Sequence, residues 1–176
     1  KTFDPSYGST TNTCNLASGV VVWAKLHCNG PTISTIDTIT TQAQIGTGSM
    51  VAVCDGDGNI VTVDGTSAGA PALFSGTNVD AWLTATAGDT SYELDTAVSG
   101  LDPLGQDIRI AVFSPAATVT QYAKFLGAPG PNNAAVVNGN SSEPLFGSAT
   151  GQTGITSPLP YGSYVACPKP LFIINP

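Results

Sequence analysis

The sequence predicts an all-β fold, a single-domain β-sandwich or jelly roll with long Gly/Pro/Asn-rich loops. Three observations predict it. Short β-branched runs recur along the chain, clusters of Gly, Pro and Asn separate them, and two alternating apolar runs flank a pair of Asp-Gly dipeptides. Many short strands punctuated by such turns belong to two-layer β architectures. At 176 residues the chain suits one domain with a sizeable core. The expected division is an irregular N-terminal arm over 1–18 and one β domain over 19–176.

Taken in order, residues 1–18 are rich in Ser, Thr and Gly and show no periodicity. The first strand is predicted at Gly19–His27, with Val20, Val22, Ala24 and Leu26 on one face and Val21, Trp23, Lys25 and His27 on the other. Apolar residues on both faces of its first half imply a strand inside a layered structure. Residues 32–40 repeat in threes, as Thr32-Ile33-Ser34, Thr35-Ile36-Asp37 and Thr38-Ile39-Thr40. Ser34 with Asp37 resembles a capping box, and Ile36, Ile39 and Ala43 fit one helical face, whereas the β-branched content favours a strand. Both conformations stay open at this stage.

Ser49–Cys54 and Asn59–Asp64 read as a hairpin turning at Asp55-Gly56-Asp57-Gly58, where Asp-Gly supplies the positive φ that tight turns need. Further strands are expected at Val79–Thr86 around Trp82, at Ser91–Thr96 and at Asp107–Phe113. Thr118–Phe125 reads as strand or short helix. Residues 127–163 look like loop, with a short strand at Ala134–Val137. The chain closes on Leu171-Phe172-Ile173-Ile174, an apolar strand.

Charge sets the function classes. Only 10% of residues are Asp, Glu, Lys or Arg, against about 25% in an ordinary soluble domain. The difference is made up by Thr, Ser, Gly, Ala and Asn, so the predicted surface is polar but weakly self-repelling. Net charge is −7, and the cations Lys1, Lys25, Arg109, Lys124 and Lys169 are scattered in sequence. Nucleic acid and anionic membranes need clustered Lys and Arg, so neither is expected as a partner. The longest apolar run, Val20–Ala24, falls far short of the ~20 residues of a membrane helix, so no membrane insertion is expected. The start at Lys1 without Met is read as a processed product, expected to be secreted or displayed on a cell or virion surface.

Cys14, Cys28, Cys54 and Cys167 lack metal-ligand spacing and form an even set. In an oxidising compartment they are expected to form two disulfides, Cys28–Cys54 with Cys14–Cys167, or else Cys14–Cys54 with Cys28–Cys167. Cys14 with Cys28 is disfavoured because an extended Gly19–His27 carries Cys28 too far from Cys14.

Several candidate sites are each weighed against an ordinary structural role. Asp55, Asp57 and Asn59 have the alternating oxygen spacing of a calcium loop, but Ile60 and Thr66 stand where an EF-hand needs Gly and Glu. Calcium is the only cofactor considered, and a plain hairpin turn is the competing reading. Glu93 and Asp95 fall on one strand face, as an acid pair or simply as solvated surface. His27 needs a partner to act as a base, and Asn140-Ser141-Ser142 is a glycosylation acceptor pattern.

Asp64-Gly65-Thr66-Ser67-Ala68-Gly69-Ala70-Pro71 resembles the G-T-S-x-x-x-P segment around the nucleophile of subtilisin-like and sedolisin-like serine peptidases. The resemblance implies Ser67 as nucleophile. It covers a few residues only, and no Glu precedes Ser67 to complete the acid-active form.

No catalytic residue is assigned. The leading expectation is a non-enzymatic structural protein, a subunit that associates with copies of itself in a filament, coat or virion shell. The alternative is a secreted glycan- or surface-binding module, calcium-assisted, using Trp23, Trp82, Tyr92, Tyr122, Tyr161 and Tyr164 as stacking platforms. A small acid-active secreted hydrolase is compatible with the acidic balance but has no constellation to carry it.

Overall fold

A computed structural model gives the fold and describes residues 9–42, 48–65, 79–84, 88–114, 123–128, 146–159, 164–165, 169–170 and 172–176. Twelve strands and one short helix follow in chain order: β1 (Ser9–Leu16), β2 (Val20–Cys28), β3 (Thr32–Gln42), β4 (Met50–Cys54), β5 (Ile60–Gly65), α1 (Val79–Thr84), β6 (Gly88–Ser99), β7 (Gln106–Ser114), β8 (Ala123–Ala128), β9 (Phe146–Ala149), β10 (Tyr164–Val165), β11 (Lys169–Pro170) and β12 (Phe172–Asn175). They form two antiparallel six-stranded sheets. Sheet I runs β10-β9-β2-β7-β4-β5. Sheet II runs β1-β8-β3-β12, with β6 on the other edge of β3 and β11 on β8. The all-β sandwich expected from the sequence is the fold.

Sheet I is built on the nine-residue β2–β7 ladder, in register from Val20↔Ser114 to Cys28↔Gln106. Strict alternation then sorts its side chains. Val20, Val22, Ala24, Ile108, Ile110, Val112, Val51 and Val53 face sheet II and meet Leu16, Ile33, Ile36, Tyr92, Leu94, Val98 and Phe172. Val21, Trp23, Ala52, Ala111, Phe113 and Ala149 of β9 face the other way and are also buried, under Ile155 and Leu159. Sheet I is thus covered on both faces, as the apolar start of β2 implied.

The covering segment, 150–159, lacks regular structure and is fastened by its backbone. Gln152 N–H donates to the Gly19 carbonyl at 2.9 Å, Leu159 N–H to the Gly58 carbonyl at 3.0 Å, and Ile60 N–H to Ser157 Oγ at 3.1 Å. This part of the predicted 127–163 loop is therefore one wall of a second apolar cluster.

The triplet repeat resolves as strand β3. Its ladder with β6 slips between Ile33 and Thr35, so Ile33 and Ile36, three residues apart, both point inward. That spacing made the segment look helical. Val79–Thr86 goes the opposite way: the expected strand is helix α1. Val79 and Trp82, one turn apart, both enter the core, and both Asp80 carboxylate oxygens accept backbone N–H groups, from Gly48 and Ser49. Tertiary contacts outweigh the β-branched and aromatic preference for strand.

The irregular arm is corrected over its second half, because β1 pairs with β8 from Leu16↔Ala123 to Ser9↔Gly127. The strand at Ser91–Thr96 lengthens to β6, and that at Leu171–Ile174 is β12, from Phe172 on. Ala134–Val137, Thr118–Tyr122 and Leu171 lie outside the described residues. Among the described residues no helix is long and apolar enough to cross a membrane.

If the second cluster is a true core, Leu159→Ala destabilises the fold by about 2–5 kcal/mol. Leu104→Ala, at 91% exposure, should change stability by less than about 0.5 kcal/mol. Urea unfolding of the two variants beside the wild type measures both.

Candidate functional site

The groups with chemical potential gather at three places. The first is the turn between β4 and β5. Asp55 Oδ1 accepts from the N–H groups of Asp57 (2.9 Å) and Asn59 (2.8 Å), and its Oδ2 accepts from Asn59 Nδ2 at 3.0 Å. Burial is the largest single effect on Asp55 and raises its pKa, but the hydrogen bonds from Asn59, Asp57 and Gly58 together outweigh it and hold the carboxyl below its ordinary value. Both carboxylate oxygens are thus occupied in shaping the turn. Asp57 is exposed, and among the described residues no three His, Cys, Asp or Glu side chains gather as metal ligands.

The second place is the outward face of sheet I at the far end of β2. The register sets His27 opposite Asp107 and Lys25 opposite Arg109. Asp107 accepts from Lys25 Nζ at 2.9 Å and pairs with His27 Nδ1 at 3.0 Å. The hydrogen bonds from His27 and then Lys25 lower its pKa. The base partner that the sequence did not supply for His27 is therefore Asp107, eighty residues away. Two of the five cations, scattered in sequence, share this face with the one histidine. Gly105 is needed beneath the ring: its φ is +109°, and a Cβ there would lie 2.5 Å from His27 Nε2. Among the described residues no hydroxyl or thiol is hydrogen-bonded to Nε2.

Cys54, next to Arg109 in register, is fully buried. Burial, reinforced by Asp55, pushes its thiol up to about 12, which leaves it unreactive. Cys28 is buried too, with its Sγ 3.4 Å from the Gly30 carbonyl. Both are free thiols, which corrects the expected Cys28–Cys54 disulfide. Cys28 belongs to the inner cluster and Cys54 to the outer one, on strands separated by β7. Two ladder steps of about 4.8 Å and opposite faces put them beyond the ~7 Å Cα limit of a disulfide. Cys14–Cys54 and Cys28–Cys167 each need one of these free thiols, and the expected Cys14–Cys167 lies outside the described residues. Cys167 and the Cys14 side chain lie outside the described residues, as do Asn140 and the peptidase-like residues Thr66–Pro71, Ser67 among them.

The third place is the side of the sandwich where β5 and β6 run along the edges of the two sheets, with α1 between them. Asp64 pairs with Val51 and so faces inward. It is 1% exposed, and its Oδ2 accepts from Tyr92 Oη at 3.1 Å and from Asp95 N–H at 2.9 Å. The Asp95 N–H is available because β6 bulges here: two steps along β3, from Ile33 to Thr35, span five along β6, from Val98 to Glu93. The bulge also separates the expected Glu93/Asp95 pair. Glu93 stays in solvent, and Asp95 is tied to Asp64.

Burial raises the Asp64 pKa against the lowering effect of its two hydrogen bonds, and the Asp95 charge raises it further. Tyr92, stacked 5.2 Å from Trp82, is held protonated by burial and by Asp64. Gly65 locks the strand end, since a Cβ on it would strike the Ser49 carbonyl oxygen, and its φ is +106°. The sequence held one sign of this corner: hairpin alternation already places Asp64 on the inward face with Thr62.

Trp23, Trp82 and Tyr92 are at most 3% exposed, so none of the three is a stacking platform for a glycan. Tyr122 and Tyr161 lie outside the described residues, as does the Tyr164 side chain. A cavity of about 250 Å³ opens at the turn after β2, lined by His27, Asn29, Thr32, Ile33, Ile174 and Asn175 among others. The chain matches no protein-family model, no curated protein and no solved structure.

Two measurements check this geometry. Because the native Asp64 pKa is raised, the native state holds its proton more tightly, and stability falls as pH climbs from the carboxylate range toward neutrality. Asp64→Asn removes that slope, so in chelator its melting temperature gains on the wild type as pH rises from about 3.5 to 7. Asp107→Asn has a smaller, opposite effect, since the stability from a lowered pKa is lost as pH falls. Separately, iodoacetamide in denaturant without reductant should alkylate Cys28 and Cys54, and neither should react in the folded protein.

Proposed function

We propose that this protein is a non-enzymatic structural subunit that associates with copies of itself in an extracellular or surface assembly. The observation that carries the reading is edge strand β6. It is twelve residues long, pairs among the described residues only with β3, and exposes Ser91, Glu93, Thr96, Ala97 and Ser99. A long edge strand is a template for another strand unless charge, proline or cover blocks it. β6 carries no Lys, Arg or Pro, and of its acids Glu93 is exposed whereas the Asp95 backbone is tied to Asp64. Its neighbour on the same side, β5, exposes half of Val61.

Low overall charge keeps the electrostatic cost of bringing two such edges together small. The acids that sequence reading held as candidates are largely absorbed by the fold, in a turn, an ion pair and a joint between sheets. Strand addition between subunits is the mode of association that fits.

Light scattering on the purified chain, with negative-stain microscopy, should show species that grow with concentration. Thr96→Lys and Ala97→Lys place cations on the β6 edge and should return the protein to a monomer. Their effect on stability should be no more than about 0.5 kcal/mol, as for other exposed sites. A wild type that stays monomeric at every concentration, or variants that assemble unchanged, would defeat the reading.

A further inference from the structure

We propose that Asp64 and Asp95 together hold a calcium ion in the corner between β5 and β6. The inference starts from two atoms. Asp64 Oδ1 and Asp95 Oδ2 are both buried, and neither has a hydrogen-bond partner among the described residues. Asp64 is 1% exposed, its other oxygen accepts from the Asp95 backbone N–H at 2.9 Å, and the Asp95 charge acts on it, so the two acids are neighbours. Among the described residues, the ion pairs of Lys25 and His27 go to Asp107 and to neither of these acids. Two adjacent carboxylates without a cation carry a large desolvation cost, and a bound ion or proton is what relieves it.

The chemistry of the corner selects the ion. All its free ligands are oxygens, which excludes soft metals, and two carboxylates match a divalent charge. Calcium takes six to eight oxygens in loose geometry. Asp95 is partly exposed, so one side of the corner borders the surface. Residues 94–97 lie off the β3 ladder at the bulge, so their backbone carbonyls are not committed to that ladder. No third acidic side chain joins the pair among the described residues. That sparse charge predicts weak affinity, on the order of 10⁻⁴–10⁻³ M, as in extracellular modules. Since Asp64 belongs to sheet I and Asp95 to sheet II, the ion clamps the two sheets along one side. This differs from the hairpin turn, where Asp55 has no oxygen to spare.

The test uses calcium and, as a luminescent stand-in, terbium on the full chain. Trp82 and Tyr92 flank the corner, so bound terbium should emit on aromatic excitation and be displaced by calcium. Calcium at roughly tenfold its dissociation constant should raise the melting temperature by about 3–6 °C. Asp95→Asn and Asp64→Asn should each weaken terbium binding at least tenfold, and Asp57→Ala should leave it unchanged. If Asp64→Asn does not fold, Asp95→Asn decides alone. The proposal is overturned if calcium leaves the melting temperature unmoved, if the Asn variants bind as wild type, or if binding is lost in Asp57→Ala. A melting temperature that rises on acidification and ignores calcium would mean that the pair holds a proton, and would overturn it too.

Discussion

Sheet I is apolar on both faces, and the rest of the molecule is arranged around that fact. One sheet cannot be stable in water with Val21, Trp23, Ala111 and Phe113 exposed on one side and Val22, Ile108, Ile110 and Val112 on the other. Each large side chain moved out of water contributes about 1.5–3 kcal/mol, so both faces need cover. Sheet II covers one. The other is covered by Ile155 and Leu159, carried on a segment whose Gln152 and Leu159 N–H groups donate to the Gly19 and Gly58 carbonyls and whose Ser157 hydroxyl accepts from the Ile60 N–H of β5. The irregularity of that segment follows from its task. It must follow a surface of mixed large and small side chains, and a regular strand or helix would bury only one of its own faces there.

The same constraint explains which parts of the fold were legible in the sequence. β2, β4, β5 and β7 are visible because their burial writes local patterns: β-branched runs, alternation, and an Asp-Gly turn. β3 was ambiguous because a ladder slip gives inward residues a spacing of three, which imitates a helix. α1 was misread because its decisive contacts are distant, namely the Gly48 and Ser49 backbone on Asp80 and the Tyr92 ring on Trp82. β1 was missed because Ser9–Leu16 is nearly all polar and owes its extension to pairing with β8. The cysteine pairing failed for another reason. The number of cysteines gives no information on which face of a strand each occupies, and alternation around β7 sends Cys28 and Cys54 to opposite sides.

Of the candidate sites, the sequence held the residues but seldom the groupings. Asp107 became the partner of His27 only when β2 met β7 in register. Asp95 was drawn from Glu93 to Asp64 by a bulge that no periodicity announces. In both cases an acid was visible, and the partner was set by strand pairing across dozens of residues. The acids are few, and the fold gives them structural tasks. Asp55 shapes a turn, Asp80 ties α1 to the start of β4, Asp107 neutralises two basic groups, and Asp64 joins two sheets.

That last task links the corner to the edge. β6 could have remained flat and straight along β3, presenting a continuous row of unpaired backbone groups. Instead it bulges at residues 94–97 and donates the Asp95 N–H to the buried Asp64 carboxylate of β5. A bulge of this kind twists an edge strand and limits how far a second strand can extend along it. On the proposed readings, the ion that neutralises Asp64 and Asp95 would also fix the shape of the bulge, and so set how much of β6 is open to another subunit. A corner that is weakly occupied and easily reached would then tune edge pairing through the local geometry of one strand. The rest of the sandwich, held by two buried faces of sheet I, would not need to move.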